Sequence, residues 1–402
     1  MATTYVPSMP DCGYFVDEDD ECDVVSEAKP AERYFDNCYR PTRIGEVLNG
    51  QYCIEHKLGW GGFSTVWLAR DFLQQKLVAL KIMSPGWRGE HELYMHGEII
   101  RRAGPDISDY LVTYQRAFRV PGHPGCVHTV LVLPFRGPSL EIACLYVPPA
   151  LRVPAARRLL LALQRLHDAG IVHSDINSGA VMWDTDPIDG WSTAQIYERF
   201  GRPRKVLLLE GQGAGELVEP MCVPQDMLRP SLHLGDFSHS MVSGATVEYR
   251  IQSPMLFSAP ERFHGMGPSF ASDMWSYTCV LVELLIGCEF TYGDGLNFVS
   301  RIIGTLERPF PENWKGRYPS NNLAKEWWYD QTGQMPRSQV GGGYETLEKR
   351  IIRLRPDICQ DERQHALAVM RKGFEYIPEK RITATEMLED PSFNALMAYY
   401  EH

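Results

Sequence analysis

The segment Leu58-Gly59-Trp60-Gly61-Gly62-Phe63-Ser64-Thr65-Val66 sits between two short apolar runs, and a third such run ends in Val78-Ala79-Leu80-Lys81. The runs at 52–58, 65–70 and 77–83, broken by Gly-rich and polar turns, predict a small antiparallel sheet. Within it the glycines form a strand-turn-strand clamp. Where side chains are missing, backbone amides can approach a polyphosphate, and Lys81 can reach the α and β phosphates of a nucleotide held there. The glycines taken alone also read as a plain Gly-rich hairpin, and the third glycine of the G-x-G-x-x-G pattern is here Ser64. The lysine that follows in order lifts the segment above that reading.

A buried lysine needs a carboxylate partner. The helix predicted over 90–103 offers Glu98 as the best-placed candidate, with Glu92 and Glu90 behind it; a plain surface acid is the other reading of Glu98. An apolar strand over 129–135 leads into Arg136-Gly137-Pro138, where a hinge fits. Helical patterns then dominate: 154–169 carries Leu159, Leu163 and Leu166 on one face, and 271–286 is strongly apolar. His173-Ser174-Asp175-Ile176 follows Gly170-Ile171-Val172, which places Asp175 to accept or orient the proton of an attacking hydroxyl. Gly235-Asp236-Phe237-Ser238 follows Leu232-His233-Leu234, which places Asp236 to hold a magnesium ion bridging phosphates. Ser258-Ala259-Pro260-Glu261 ends 25 residues after Asp236, Asp273-Met274-Trp275 opens the most apolar helix, and Arg381 can pair with Glu261.

Composition narrows the rest. With 44% apolar residues in 402, the chain can bury sizeable cores. Its ten cysteines are scattered without a C-x-x-C pair, which points to reduced thiols rather than a zinc site or a disulfide framework. No charged start leads into an apolar secretory segment and no apolar run is long enough to span a bilayer, so the expected location is cytoplasm and nucleus, with no membrane partner. A net charge of -11 argues against direct nucleic-acid binding and suits a basic peptide partner, although acidity also serves solubility. The acidic cluster Asp17, Glu18, Asp19, Asp20, Glu21 and Asp23 has little periodicity and predicts a mobile arm over 1–43. The Gly-, Pro- and Asp-containing stretch 184–231 interrupts the motif order and predicts a surface insertion.

The ordered series of Gly loop, V-A-L-K, H-x-D, D-F-S, A-P-E and D-x-W resembles the protein kinase superfamily over roughly 52–399. Leu58 to Leu68, His173-Ser174-Asp175-Ile176, Ile251-Gln252 ahead of Ala259-Pro260-Glu261, and Ile44-Gly45 ahead of Tyr52 resemble the SR-protein kinase family, especially its short fungal members. That resemblance implies a bilobal α+β fold over 44–402, with a small antiparallel N-lobe sheet at about 50–135 and a larger helical C-lobe at about 138–400. It implies ATP and Mg2+ as cofactors and serine phosphorylation in basic, Arg/Ser-rich proteins. The nucleotide would be bound by Leu58, Gly59, Trp60, Gly61, Gly62, Phe63, Ser64, Thr65, Val66, Lys81 and Glu98. Asp175 and Lys81 would serve catalysis and Asp236 the metal.

Two positions depart from that pattern. The asparagine expected five residues after Asp175, a ligand of the second magnesium, is Ala180, and a methyl group cannot ligate a metal. The lysine expected two residues after Asp175 is Asn177, which can hydrogen-bond a phosphate but not neutralise it. If the lost ligand weighs as one preorganised oxyanion donor does, the rate falls by roughly 10² to 10³. Two functions stay open: an active serine/threonine kinase that retains Lys81, Asp175 and Asp236, or a pseudokinase that acts by binding nucleotide or protein partners. At the position of the arginine that often precedes the catalytic aspartate stands Ser174, so the activation segment is expected to order without phosphorylation.

Overall fold

The three runs around the glycine segment are strands, and they lie side by side. The computed structural model describes residues 11–28, 32–36, 38–143, 147–208, 215–245, 254–290, 295–319, 324–332 and 345–401. Ile251-Gln252 lies outside these. The chain divides into two units: Met1–Glu98 with Val112–Pro138 and Trp183–Arg229, and Ile99–Leu111 with Ser139–Met182 and Pro230–His402.

In the first unit β1 (Val47–Leu48), β2 (Tyr52–Gly61), β3 (Ser64–Asp71), β4 (Lys76–Met83), β5 (Arg116–Pro121) and β6 (Val127–Pro134) form one antiparallel sheet in the order β1-β2-β3-β4-β6-β5. Apolar and β-branched side chains from one face, among them Ile54, Trp67, Val78, Leu80, Val130 and Val132, make the core beneath it. Helix α2 (Trp87–Ala103) follows β4. After β6, Gly137 donates its N–H to the Trp183 carbonyl at 2.8 Å. A Cβ at Gly137 would come within 2.7 Å of Thr185, so this close backbone approach requires glycine.

The described residues of the two segments expected to be peripheral form helices and strands of this unit. The acidic cluster is helical: α1 (Glu18–Glu27) carries Glu18, Asp19, Asp20 and Glu21 in its first turn, where carboxylates complement the positive end of the helix dipole. Val24 of α1 is fully buried. Just before it, Tyr14–Phe15 pairs in parallel with Arg204–Leu208, and that strand pairs antiparallel with Gly215–Val218. The stretch 184–231 therefore supplies the partner strands for the N-terminal segment, and its Val218 enters the core of the main sheet. It also adds the helix Thr193–Phe200, whose Ile196, Tyr197 and Phe200 are buried, and a Met221 N–H bond to the Lys57 carbonyl at 2.7 Å. Neither segment shows its partner to a local reading, because each completes the other across nearly the whole first half of the chain.

The second unit is mainly helical. Helix α3 (Pro149–Asp168) packs on α4 (Phe270–Ile286), with the Tyr277 hydroxyl donating to the Ala156 carbonyl at 3.0 Å. Helix α4 is buried on nearly every side, as its all-round apolar sequence requires. A capping box at Ser269 and Ser272 starts it, and Gly287 in the left-handed conformation, φ 80°, ends it. No helix among the described residues is long and apolar enough to cross a membrane.

Candidate active site

Within the first unit, β2 and β3 meet at a two-residue turn, Gly62-Phe63, with Gly61 opposite Ser64. Val66, Lys81 and Leu131 are register neighbours across β3, β4 and β6, so their side chains leave the same face of the sheet. The lysine thus shares a face with the strand that leaves the glycine turn. A Cβ built at Gly59 or Gly62 would meet no protein atom within 4 Å, and at Gly61 only the Ser64 hydroxyl at 3.8 Å. None of these three glycines has a positive φ. Neither packing nor backbone conformation therefore explains them, whereas a phosphate group that approaches the backbone closely needs such side-chain-free space.

Lys81 Nζ donates to Glu92 Oε1 at 2.7 Å, with both side chains buried. Glu98 was the best-placed candidate on sequence; the carboxylate at the lysine is Glu92 instead. The reason is helical phase. Glu92, Met95 and His96 line one buried stripe of α2, and Glu98, six residues beyond Glu92, lies about 120° around the helix from it. Glu90 is engaged elsewhere, by Arg119 at 2.9 Å and the Thr129 hydroxyl at 3.0 Å.

The second unit holds the two aspartates. Ser174 has φ 68°, a left-handed conformation uncommon for a residue other than glycine. It is held there by Asp273 at the start of α4, whose carboxylate accepts the His173 N–H at 2.7 Å and the Ser174 N–H at 2.9 Å. His173, fully buried, accepts the Asp175 N–H on Nδ1 at 3.3 Å, which leaves Nε2–H to donate to the Gly235 carbonyl at 2.9 Å. The Gly235 N–H donates to the Ala180 carbonyl at 2.9 Å. One histidine and one backbone bond thus tie the loop of Asp175 to the turn of Asp236, which is itself left-handed at φ 58°.

The sequence did not disclose three of these roles. Asp273 was placed only as a helix opener, and its task as acceptor for the catalytic loop depends on residues 99 and 100 positions away. His239 Nδ1 lies 3.4 Å from Asp175 Oδ2 and 3.2 Å from the Ser238 hydroxyl, which in turn donates to Asp236 Oδ1 at 2.8 Å. Asn177 is the third. Its Nδ2 donates to the carbonyl and carboxylate of Asp175, at 2.9 and 3.1 Å, while its Oδ1 caps the short turn after it by accepting from Gly179 and Ala180. Both ends of the amide are committed inside the loop. Asn177 is therefore a brace for Asp175.

Magnesium commonly takes one or two carboxylates and completes its shell with water and phosphate oxygens. Asp236 fits that requirement, and the methyl of Ala180 supplies nothing further. No group of three or more His, Cys, Asp or Glu among the described residues could hold a metal on its own.

Glu261 and Arg381 form a fully buried bidentate pair, at 2.7 and 2.9 Å. The lysine–glutamate pair, the braced aspartate loop and this ion pair are the working parts of a protein kinase. The chain belongs to that family: the protein kinase domain model matches residues 52–393. A serine/threonine protein kinase of Aspergillus fumigatus is 25% identical over 96% of this chain and 94% of its own length. The serine/threonine-protein kinase SRPK of Physarum polycephalum is 24% identical over 91% of each chain. Human SRSF protein kinase 3 is 34% identical over 37% of this chain and 28% of its own length. A crystal structure of a kinase domain superposes with a TM-score of 0.63 at 17% identity, covering 88% of this chain and 98% of that one.

Proposed function

We propose that the protein is an ATP- and Mg2+-dependent serine/threonine kinase whose substrates are basic, Arg/Ser-rich protein segments. The observation that carries the reading is Lys81, paired to Glu92 at 2.7 Å on the sheet face shared with a glycine turn that neither packing nor φ explains. Lys81 and the turn amides would hold nucleotide phosphates, and Asp236 the metal. Bound magnesium supplies charge neutralisation for the transferring phosphoryl group. Asp175 would orient the substrate hydroxyl and accept its proton.

A basic substrate is supported in the second unit by the accessible carboxylates Glu141 and Glu289, which lie beside the buried Glu283. Burial pushes the Glu283 carboxyl up to about 7, with Glu289 and Glu141 adding to the rise and Ser178 and Arg152 opposing it. Its neighbour Ser178 lies in the loop of Asp175, and a cation held by Glu141 and Glu289 would favour ionisation of the carboxylate behind them. The names of the SRPK-type relatives agree with this substrate class. A second reading, a kinase fold that binds nucleotide without transferring phosphate, is favoured by Ala180 alone.

The test is transfer of labelled phosphate from Mg2+-ATP to an Arg/Ser peptide, with Lys81→Met as the control. The wild-type chain is expected to produce phosphoserine, and Lys81→Met to weaken ATP binding about tenfold or more by calorimetry, as the loss of a charge-assisted phosphate contact. Binding without transfer would select the second reading. Unchanged ATP affinity in Lys81→Met would remove the lysine from the site.

A pH dependence follows from Glu283. With that carboxyl pushed up to about 7, the negative charge beside Glu141 and Glu289 is expected to grow, and with it the attraction for a basic peptide, as pH rises through that value. The KM for the basic peptide, divided by that for a peptide with its arginines replaced, is expected to fall about threefold to tenfold over that interval. In Glu283→Gln the ratio should be flat; an unchanged slope would assign the titration to another group.

A further inference from the structure

The tip of the glycine hairpin is fastened from one side by the N-terminal segment. The Tyr39 hydroxyl donates to the carbonyls of Gly61, at 3.1 Å, and Gly62. Arg33 Nη1 donates to the Gly62 carbonyl at 3.2 Å, and the Trp60 indole N–H donates to the carbonyl of Glu27 at 3.1 Å. Three residues of one segment thus grip three successive residues of the turn.

The grip is anchored. Tyr39 is buried and packs with Ala28, Tyr34 and Leu217, its ring meeting that of Tyr34 edge-on at 5.8 Å. Leu217 belongs to the strand Gly215–Val218, so the stretch 184–231 provides the wall against which the tyrosine is set. Burial pushes the Tyr39 hydroxyl up to about 12, which keeps it a donor throughout the physiological range. Beyond the turn the Phe63 carbonyl accepts from the Ser84 N–H at 2.8 Å, and Arg88 lies 3.9 Å over the Phe63 ring.

In a trans peptide the carbonyl and the next N–H point in opposite directions. Holding the Gly61 and Gly62 carbonyls toward Tyr39 and Arg33 therefore turns the N–H groups of Gly62 and Phe63 away from them. We propose that Tyr39, with Arg33 and the Glu27 carbonyl, is a positioning element that presets the amides of the glycine turn for nucleotide phosphates. This rests on the nucleotide reading above. A flexible turn loses conformational entropy when a ligand orders it, and a strap already in place lowers that cost.

The experiment uses the full chain with Tyr39→Phe, which keeps the ring and removes the hydroxyl, and Arg33→Ala as an independent second variant. Amide hydrogen exchange over 60–65 is measured without nucleotide, and calorimetric affinities are taken for ATP and for adenosine. Each variant is expected to speed exchange about threefold to tenfold and to weaken ATP by a similar factor, the worth of one hydrogen bond, while adenosine affinity stays constant within about twofold. Unchanged exchange in both variants, an equal loss for ATP and adenosine, or tighter ATP binding would each overturn the proposal. If the wild type binds neither ligand, the nucleotide reading fails, and the exchange rates alone still decide whether Tyr39 fastens the turn.

Discussion

Replacing Arg381 by leucine is expected to destabilise the helical unit by about 3–5 kcal/mol, the cost of stranding a buried carboxylate. The guanidinium makes two bonds to Glu261, at 2.7 and 2.9 Å, and donates to the carbonyls of Ala271, Glu375 and Tyr376 at 2.6, 2.7 and 3.2 Å. Neither side chain is more than 1% exposed, so water cannot replace what is lost. The contacts also join three separate pieces of chain: the residues after Pro260, the start of α4 and the 375–381 turn. Arg381→Lys keeps the charge but not the planar fork, and should lose a substantial part of the same energy. Urea unfolding monitored by tryptophan fluorescence measures both. A shift below about 1 kcal/mol in Arg381→Leu would mean that the pair is dispensable.

How this pair was legible and others were not has a physical basis. Glu261 and Arg381 stand in motifs whose spacing encodes them, as do Lys81, Asp175 and Asp236. Apolar runs likewise mark the elements that carry these residues, since 65–70 and 271–286 report burial directly. The partner of Lys81 was harder, because choosing Glu92 over Glu98 requires the rotational phase of α2, and a helix reports that only when its buried stripe is known. The N-terminal segment was harder still. Asp20 pairs with Arg204, and Tyr197 donates to the Asp11 carbonyl, contacts that span 184 and 186 residues. Read locally, six acids in seven positions describe a solvated tail. With Arg204 and a buried Val24 supplied from the fold, four of the same acids form the first turn of a helix. Asn177 illustrates another limit: a short polar side chain beside a turn bonds to nearby backbone, a bracing role that its place in the motif does not reveal.

Asp175→Asn is expected to lower kcat by about 10² to 10⁴ while leaving ATP affinity within about twofold. The amide is nearly isosteric with the carboxylate, and the backbone around it is fixed from outside: Asp273 holds the N–H groups of His173 and Ser174, His173 holds the Asp175 N–H, and Asn177 holds its carbonyl. A left-handed Ser174 costs on the order of 1–2 kcal/mol, and these bonds keep it in place whichever side chain follows. The substitution therefore removes a proton acceptor without releasing the loop. That separation is what makes it decisive. If the chain transfers phosphate, the loss falls on turnover and spares binding. In a fold silenced by Ala180, wild type and variant would both stay at the background rate while binding ATP equally. A rapid single-turnover measurement with an Arg/Ser peptide distinguishes the two. Turnover clearly above background and insensitive to Asp175→Asn would instead show that the acceptor is another group, with His239, 3.4 Å from the Asp175 carboxylate, the first to replace.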